Sequence, residues 1–139
     1  MRKLKGRQVY GGVVEGEAIV TNEPVAFCAG IDPLNGKITE RGHELSGKKI
    51  SNKILVCPSG KGSSAFSKAA YAVWLAGKAP IGCIFEKIDP KTALASIVMR
   101  APTITDLNEQ ATNVIKSGDY LKINAEKGEV VIINRVEGE

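Results

Sequence analysis

An α/β fold, one domain over residues 1–139 with mixed sheets around a compact, barrel-like β/β/α core, is what three features of the sequence predict. A short apolar strand, a helix rich in small residues and a second apolar strand follow one another from Lys53 to Phe85. Alternating, strand-like segments precede this unit, and a hairpin pattern follows it. Strands at both ends with helices between them make a layered α/β arrangement the natural way to bury every apolar face.

From Lys5 to Thr21 the chain alternates and is broken by Gly11, Gly12 and Gly16, which predicts a strand, a bend or bulge, and a second strand in EGEAIVT. The stretch PVAFCAGIDPLNGKITE begins with a strand-like apolar run and continues into Asp32-Pro33-Leu34-Asn35-Gly36, a strong turn signal. Gly42 to Asn52 is polar and reads as a loop with a short strand. Lys53-Ile54-Leu55-Val56-Cys57 is a buried-type strand that ends at Pro58-Ser59-Gly60.

The next segment, SSAFSKAAYAVWLAG, is expected to be helical, with Ser63 or Ser64 as its cap and Phe66, Ala69, Ala70, Val73 and Ala76 as its inward stripe. Gly77 and Pro80 stop it. Ile81-Gly82-Cys83-Ile84-Phe85 completes a strand–helix–strand unit, which predicts a right-handed parallel crossover. A second helix is expected from Asp89 to Val98, with Asp89 as cap, Pro90 in the first turn, and Ala93, Leu94 and Ile97 on one face. Ala101 to Ile104 is a short extended segment. Tyr120–Ile123 and Val130–Ile133 flank Asn124-Ala125-Glu126-Lys127-Gly128 as a terminal hairpin.

Composition narrows the function. Apolar residues make up 43% and charged residues 24%, a globular balance. The apolar runs are interrupted well short of the roughly 20 residues that a membrane span needs. The basic opening MRKLKGR is not followed by an apolar region of signal-peptide length, so the expected compartment is the cytoplasm. The net charge of +4 suits an anionic partner. Its lysines are dispersed, however, and aromatics are only 5%, so platforms for stacking bases are scarce and nucleic-acid binding is disfavoured.

Three cysteines without a close pair argue against a disulfide framework and fit a reducing compartment. Cys57 in ILVCP and Cys83 in IGCIF lie in apolar runs where a thiol behaves as a small hydrophobe. With Cys28 equally isolated, no iron–sulfur cluster is expected on this chain.

Gly60-Lys61-Gly62-Ser63-Ser64, between a strand and a helix start, is the segment richest in chemistry. Its glycines let the backbone bend and expose amides, and a helix N-terminus attracts carboxylate or phosphate. Lys61 adds a mobile cation, and a serine hydroxyl in that field is easier to deprotonate than in water. The competing reading is plain capping by Ser63 or Ser64. The loop is not G-x-x-x-x-G-K-[ST], which argues against a Walker loop, and not G-x-S-x-G. His43, the only histidine, reads as a loop residue, and Asp32 as a turn-former.

Taken together, KILVCPSGKGSS, Ala29-Gly30-Ile31-Asp32-Pro33-Leu34-Asn35-Gly36-Lys37-Ile38, His43-Glu44-Leu45-Ser46-Gly47 and Gly11-Gly12-Val13-Val14-Glu15-Gly16-Glu17 resemble the swivelling domain of aconitase-like hydro-lyases, in the small-subunit form of the aconitase X family. The resemblance runs in order along most of the chain. It implies a swivelling domain that docks on a large catalytic subunit, and a [4Fe-4S] cluster and most substrate contacts on that partner. It further implies loss of water from a small anionic hydroxy acid. Ser63, the first serine after the Gly-Lys-Gly turn, would be the proton acceptor, with Gly60, Lys61, Gly62 and Ser64 as its anion-binding surroundings. Arg100-Ala101-Pro102-Thr103 departs from the family pattern and is given no role. The reading from a different class is a non-catalytic swivel module, prompted by the likeness of the Gly118–Ile123 hairpin to swivelling domains of phosphotransfer proteins.

Overall fold

The computed structural model describes residues 1–136. Its strands are β1 (Arg2–Lys5), β2 (Arg7–Tyr10), β3 (Val13–Val20), β4 (Ile54–Cys57), β5 (Gly82–Phe85), β6 (Thr103–Thr105), β7 (Tyr120–Asn124) and β8 (Glu129–Asn134). Its helices are α1 (Phe66–Leu75), α2 (Pro90–Val98) and the single turn α3 (Ala111–Val114). The strands form one mixed sheet in the order β1-β8-β7-β3-β4-β5-β6-β2. β3, β4, β5 and β6 run parallel, whereas β1, β8, β7 and β3 pair antiparallel, as do β2 and β6. The strand–helix–strand unit and the terminal hairpin are present as expected.

β1 and β2 lie at opposite ends of that order yet are separated by Gly6 alone. The sheet therefore curls until its two edges meet, which is the barrel-like shape expected. Side chains alternate across the strands. Ile54 and Val56 point inward to join Leu4, Ile84, Ile104, Leu121, Ile123, Val130 and Ile132 in an interior cluster. Leu55 and Cys57 face outward, where α1, α2 and the long segment between β3 and β4 cover them in a second cluster. Cys83 and Phe85 join that outer layer.

Four expectations need correction. The apolar residues of PVAFCAGIDPLNGKITE are buried, but they form only isolated bridges, Val25 with Gly60 and Ile31 with Ile38. Pro24, Pro33 and the left-handed Ala29 (φ 62°) prevent a ladder, so Val25, Phe27 and Ile31 pack as a coil over the outer layer. Gly42–Asn52 likewise holds only the bridges Ile38–Ser46 and Lys37–Lys49. On α1, Phe66, Ala70 and Val73 are buried, whereas Ala76 ends the helix in solvent. On α2 the inward face is Thr92, Ala95, Ser96 and Met99, while Leu94 and Ile97 are about half exposed. Small and polar residues win that face because the helix packs close to the loop after β4. Thr92 and Ser96 can be buried there because each hydroxyl bonds locally, Ser96 to the Thr92 carbonyl at 3.0 Å.

Among the described residues no helix is long and apolar enough to cross a membrane.

The two outer-layer thiols are sealed. Burial pushes the Cys57 thiol well up and that of Cys83 up to about 12. Cys28 is partly exposed. A thiol reagent at neutral pH is expected to modify Cys28 alone in the folded chain and all three cysteines in denaturant, read by intact mass. Rapid native labelling of Cys57 or Cys83 would contradict the packing.

The segment before β4 is latched by Glu44 to the turn that follows β3. Its carboxylate accepts from the Thr21 hydroxyl and, at 2.7 Å, from the Asn22 amide, and these bonds hold its pKa below the usual 4.5. A depressed carboxyl favours the folded state while ionised. Its contribution is present above the unfolded value and is lost as pH falls through the folded one. Glu44→Gln should therefore flatten the loss of thermal stability on acidification below about pH 4.5. An unchanged acid limb would exclude the latch.

Candidate functional site

The parallel strands β3 to β6 end on one side of the barrel-like sheet, where their carboxyl-terminal loops lie. The loop after β4, residues 58–65, is tied on both sides. The Glu86 amide donates to the Cys57 carbonyl (3.1 Å) and the Lys87 amide to the Pro58 carbonyl (2.8 Å), joining it to the loop after β5. On the other flank the Val25 amide donates to the Ser59 carbonyl (3.1 Å), and the Lys61 amide to the Val25 carbonyl (3.0 Å).

Gly60 is where this loop touches the helices. A Cβ there would sit 2.8 Å from the Phe66 ring and closer still to Thr92 Cγ2. Gly62 has φ +111°, a conformation that side chains resist. These two constraints explain the Gly-x-Gly spacing. Gly60 is forced by contact, Gly62 by backbone geometry.

Beyond Gly62 the chain comes to the surface, and Ser63 and Ser64 are both exposed. α1 begins only at Phe66, with Ala65 in the cap position and no side-chain cap, so neither serine is the N-cap expected of it. Ser63 Oγ instead accepts from the Ala65 amide at 3.2 Å, while its carbonyl accepts from the Phe66 amide at 3.1 Å. The Ser63 oxygen thus faces solvent with one backbone donor aimed at it. The uncapped first turn of α1 lies directly behind.

The electrostatics differ from the sequence reading in one respect. Lys61 is not a free cation, because its ammonium lies 2.6 Å from Glu40 Oε2. A second ammonium, Lys91 in the first turn of α2, donates to the Gly62 carbonyl at 3.2 Å. Glu40 and Lys91 were not picked out from sequence, and no local motif marks them. They lie 21 and 29 residues from their partners, and only the fold brings them in.

The other singled-out residues are structural. His43 is buried, its Nδ1 accepts from the Leu45 amide at 3.1 Å, and its Nε2 lies 3.0 Å from the Pro24 carbonyl. That pairing describes a neutral ring with the proton on Nε2, with both nitrogens spent. Asp32 shapes its turn by accepting from the Leu34 amide (2.9 Å) and, through its carbonyl, the Gly36 amide (2.8 Å). Arg100 stacks over Trp74, 3.9 Å from the ring centre, at the opposite end of α2 from the loop.

No group of three or more His, Cys, Asp or Glu side chains among the described residues is arranged to hold a metal. The three cysteines do not fit an iron–sulfur cluster. Cys57 and Cys83 are fully buried among the apolar side chains of the outer layer, and Cys28 alone reaches the surface, so the three do not line a common opening for a cluster and its substrate.

Gly60→Ala should cost about 1–3 kcal/mol, since Phe66 and Thr92 must both shift to admit a methyl group. Chemical denaturation of the purified chain would measure it. A loss under about 0.5 kcal/mol, the range of ordinary surface changes, would contradict the tight approach.

Comparison with known proteins agrees with this architecture. The family model described as the aconitase X swivel domain matches residues 3–132. A small subunit of phosphomevalonate dehydratase from Pyrococcus horikoshii is 39% identical over 94% of this chain and 96% of its own length. One from Methanosarcina acetivorans is 34% identical over 94% and 91%. In the crystal structure of Thermococcus kodakaraensis aconitase X in its holo-form, a chain 35% identical superposes with a TM-score of 0.91, covering 96% of this chain and 100% of that one. With its barrel-like sheet, its strand–helix–strand unit and this degree of likeness along nearly its whole length, the chain belongs to the aconitase X swivel-domain family.

Proposed function

We propose that this chain, acting as one swivelling domain over residues 1–139, is the small subunit of a two-subunit hydro-lyase. The reaction is the dehydration of (R)-5-phosphomevalonate to trans-anhydromevalonate 5-phosphate, a step of a mevalonate route to isoprenoids. The names of the relatives, at 34–39% identity over more than nine-tenths of both chains, support the substrate. The observation that carries the chemistry is Ser63: an exposed hydroxyl with a backbone amide directed at its oxygen, beside an uncapped helix start.

In this reading Ser63, as alkoxide, takes the proton from the carbon next to the substrate carboxylate. The C–H electron pair becomes the new double bond as the bond to the neighbouring hydroxyl breaks. That group leaves with the C–O electron pair as hydroxide and becomes water by taking up one proton, and loss of the Ser63 proton to solvent restores the alkoxide and balances the cycle. The Ala65 amide and the first turn of α1 favour the anionic oxygen. Gly60, Gly62 and Ser64 form the anion-binding turn around it, and Lys61 joins them once the substrate anion replaces Glu40 at its ammonium. The [4Fe-4S] cluster belongs to the larger partner, because the cysteines here do not suit it. The chain alone is then iron-free and inactive.

The opening of the loop favours a shared site. Ser63 stands exposed on this surface, which leaves room for a second wall supplied by another chain.

With the larger subunit co-purified, Ser63→Ala should lower turnover of 5-phosphomevalonate by roughly 10²–10⁴-fold with subunit assembly intact. Full activity in that variant would end the catalytic reading in favour of a non-catalytic module. Turnover of cis-3-hydroxy-L-proline in place of the phosphate ester would reassign the substrate.

A further inference from the structure

We propose that Lys91 is a positioning residue for Ser63, an inference that rests on the proton-acceptor reading above. Its ammonium donates to the Gly62 carbonyl at 3.2 Å, and among the described residues no other hydrogen bond to Gly62 occurs. Packing is loose on the side where a Gly62 side chain would stand. The space beside Gly62 is open, the nearest atom to a Cβ there being that of Ala26 at 4.0 Å, and φ of +111° lies where glycine moves freely. On the Gly62 side this one charged hydrogen bond orients the Gly62–Ser63 peptide, while beyond it Ser63 is tied to the Phe66 and Ala65 amides.

The anchor itself is rigid. Lys91 follows Pro90 at the start of α2, where Asp89 and Thr92 cap each other. The Asp89 carboxylate accepts from the Thr92 amide at 2.9 Å, and the Asp89 amide donates to the Thr92 hydroxyl at 3.1 Å. Thr92 is fully buried and packs against the position of Gly60. The helix turn that bears Lys91 is thus fixed to the same loop two residues before its target.

The peptide unit is planar and trans, so its carbonyl and amide point to opposite sides. Holding the Gly62 carbonyl towards α2 turns the Ser63 amide away from α2, and no protein acceptor takes it among the described residues. Lys91 in this way presents the Ser63 amide as a donor and settles the point from which the Ser63 side chain departs. Removing it leaves Ser63 chemically intact and still tied to the start of α1, but lets the peptide before it rotate.

The test uses the complex with the larger subunit and steady-state kinetics on 5-phosphomevalonate. Lys91→Met keeps the stem and removes the donor; it should lower kcat by roughly 10- to 100-fold with KM changed less than about threefold, since misplacement by an ångström carries a penalty of that size. Lys91→Arg, whose guanidinium can also reach a carbonyl, should recover most of the activity. A rise in KM at unchanged kcat, weakening further with added salt, would show that Lys91 binds substrate charge directly and would overturn the proposal. So would unaltered kinetics in Lys91→Met, or no recovery in Lys91→Arg. Inactivity of Ser63→Ala alongside wild-type behaviour of Lys91→Met defeats this inference alone, whereas full activity of Ser63→Ala defeats the reading beneath it.

Discussion

The closure of the sheet at Gly6 is the constraint from which the rest of the architecture follows. β1 pairs with β8 and β2 with β6, at the two ends of an eight-strand order, yet one residue joins them. That residue has no room for a side chain: a Cβ on Gly6 would lie 2.6 Å from the Thr105 carbonyl oxygen and 2.8 Å from Leu107 Cδ2. Its amide donates to the Gly128 carbonyl at 2.8 Å, stitching the first strands to the turn of the last hairpin. With both edges met, inward residues of every strand but β2 share one interior, and the helices are left only the outer face of the parallel half. The loop after β4 consequently lies where the parallel strands end and the helices begin.

That placement sets what each layer must supply. The interior is filled by branched aliphatics from all the long strands. The outer layer has to accommodate helices lying close to a loop, so it uses phenylalanines at the sheet and small or hydroxylated residues on α2. Phe27 and Phe66 meet at 4.9 Å between ring centres, locking the coil before β4 to the start of α1. The coil in turn donates to and accepts from the backbone of the candidate loop through Val25. Packing and site geometry are therefore coupled through one residue on each side, Val25 on the coil and Thr92 on α2.

Much of this was legible in the sequence, and the misses have physical causes. The strands at Ile54, Gly82 and Tyr120 are visible because short apolar runs between turn signals have few alternatives. Asp89-Pro90 marks the start of α2 because capping chemistry is local. The inward face of that helix is a different matter. Leu94 and Ile97 have the greater hydrophobicity, but the helix turns Thr92 and Ala95 inward because only short side chains fit against Gly60 and the loop. The run PVAFCAG is apolar for burial and not for pairing, a distinction that composition does not carry. In the loop, Gly60 to Ser64 stood out because five adjacent residues shared one meaning. Glu40 and Lys91 did not, since a glutamate in a turn and a lysine on a helix start are commonplace until tertiary folding sets them against Lys61 and Gly62.

The charge arrangement bears on how a serine becomes a base in the proposed reaction. A helix terminus acting on an exposed group contributes only about 0.3–1 kcal/mol, rising towards ~2 kcal/mol once the group is partly buried. On the isolated chain Ser63 is exposed, and Lys61 is already neutralised by Glu40, so the local field acts through water and little basicity can be created. The same amide of Ala65, the same helix turn and the same oriented peptide act far more strongly when a second surface removes the solvent above them. In the proposed reaction a loop that is preorganised but uncovered would leave activation of the serine to the moment of docking, and so confine a reactive alkoxide to the assembled enzyme.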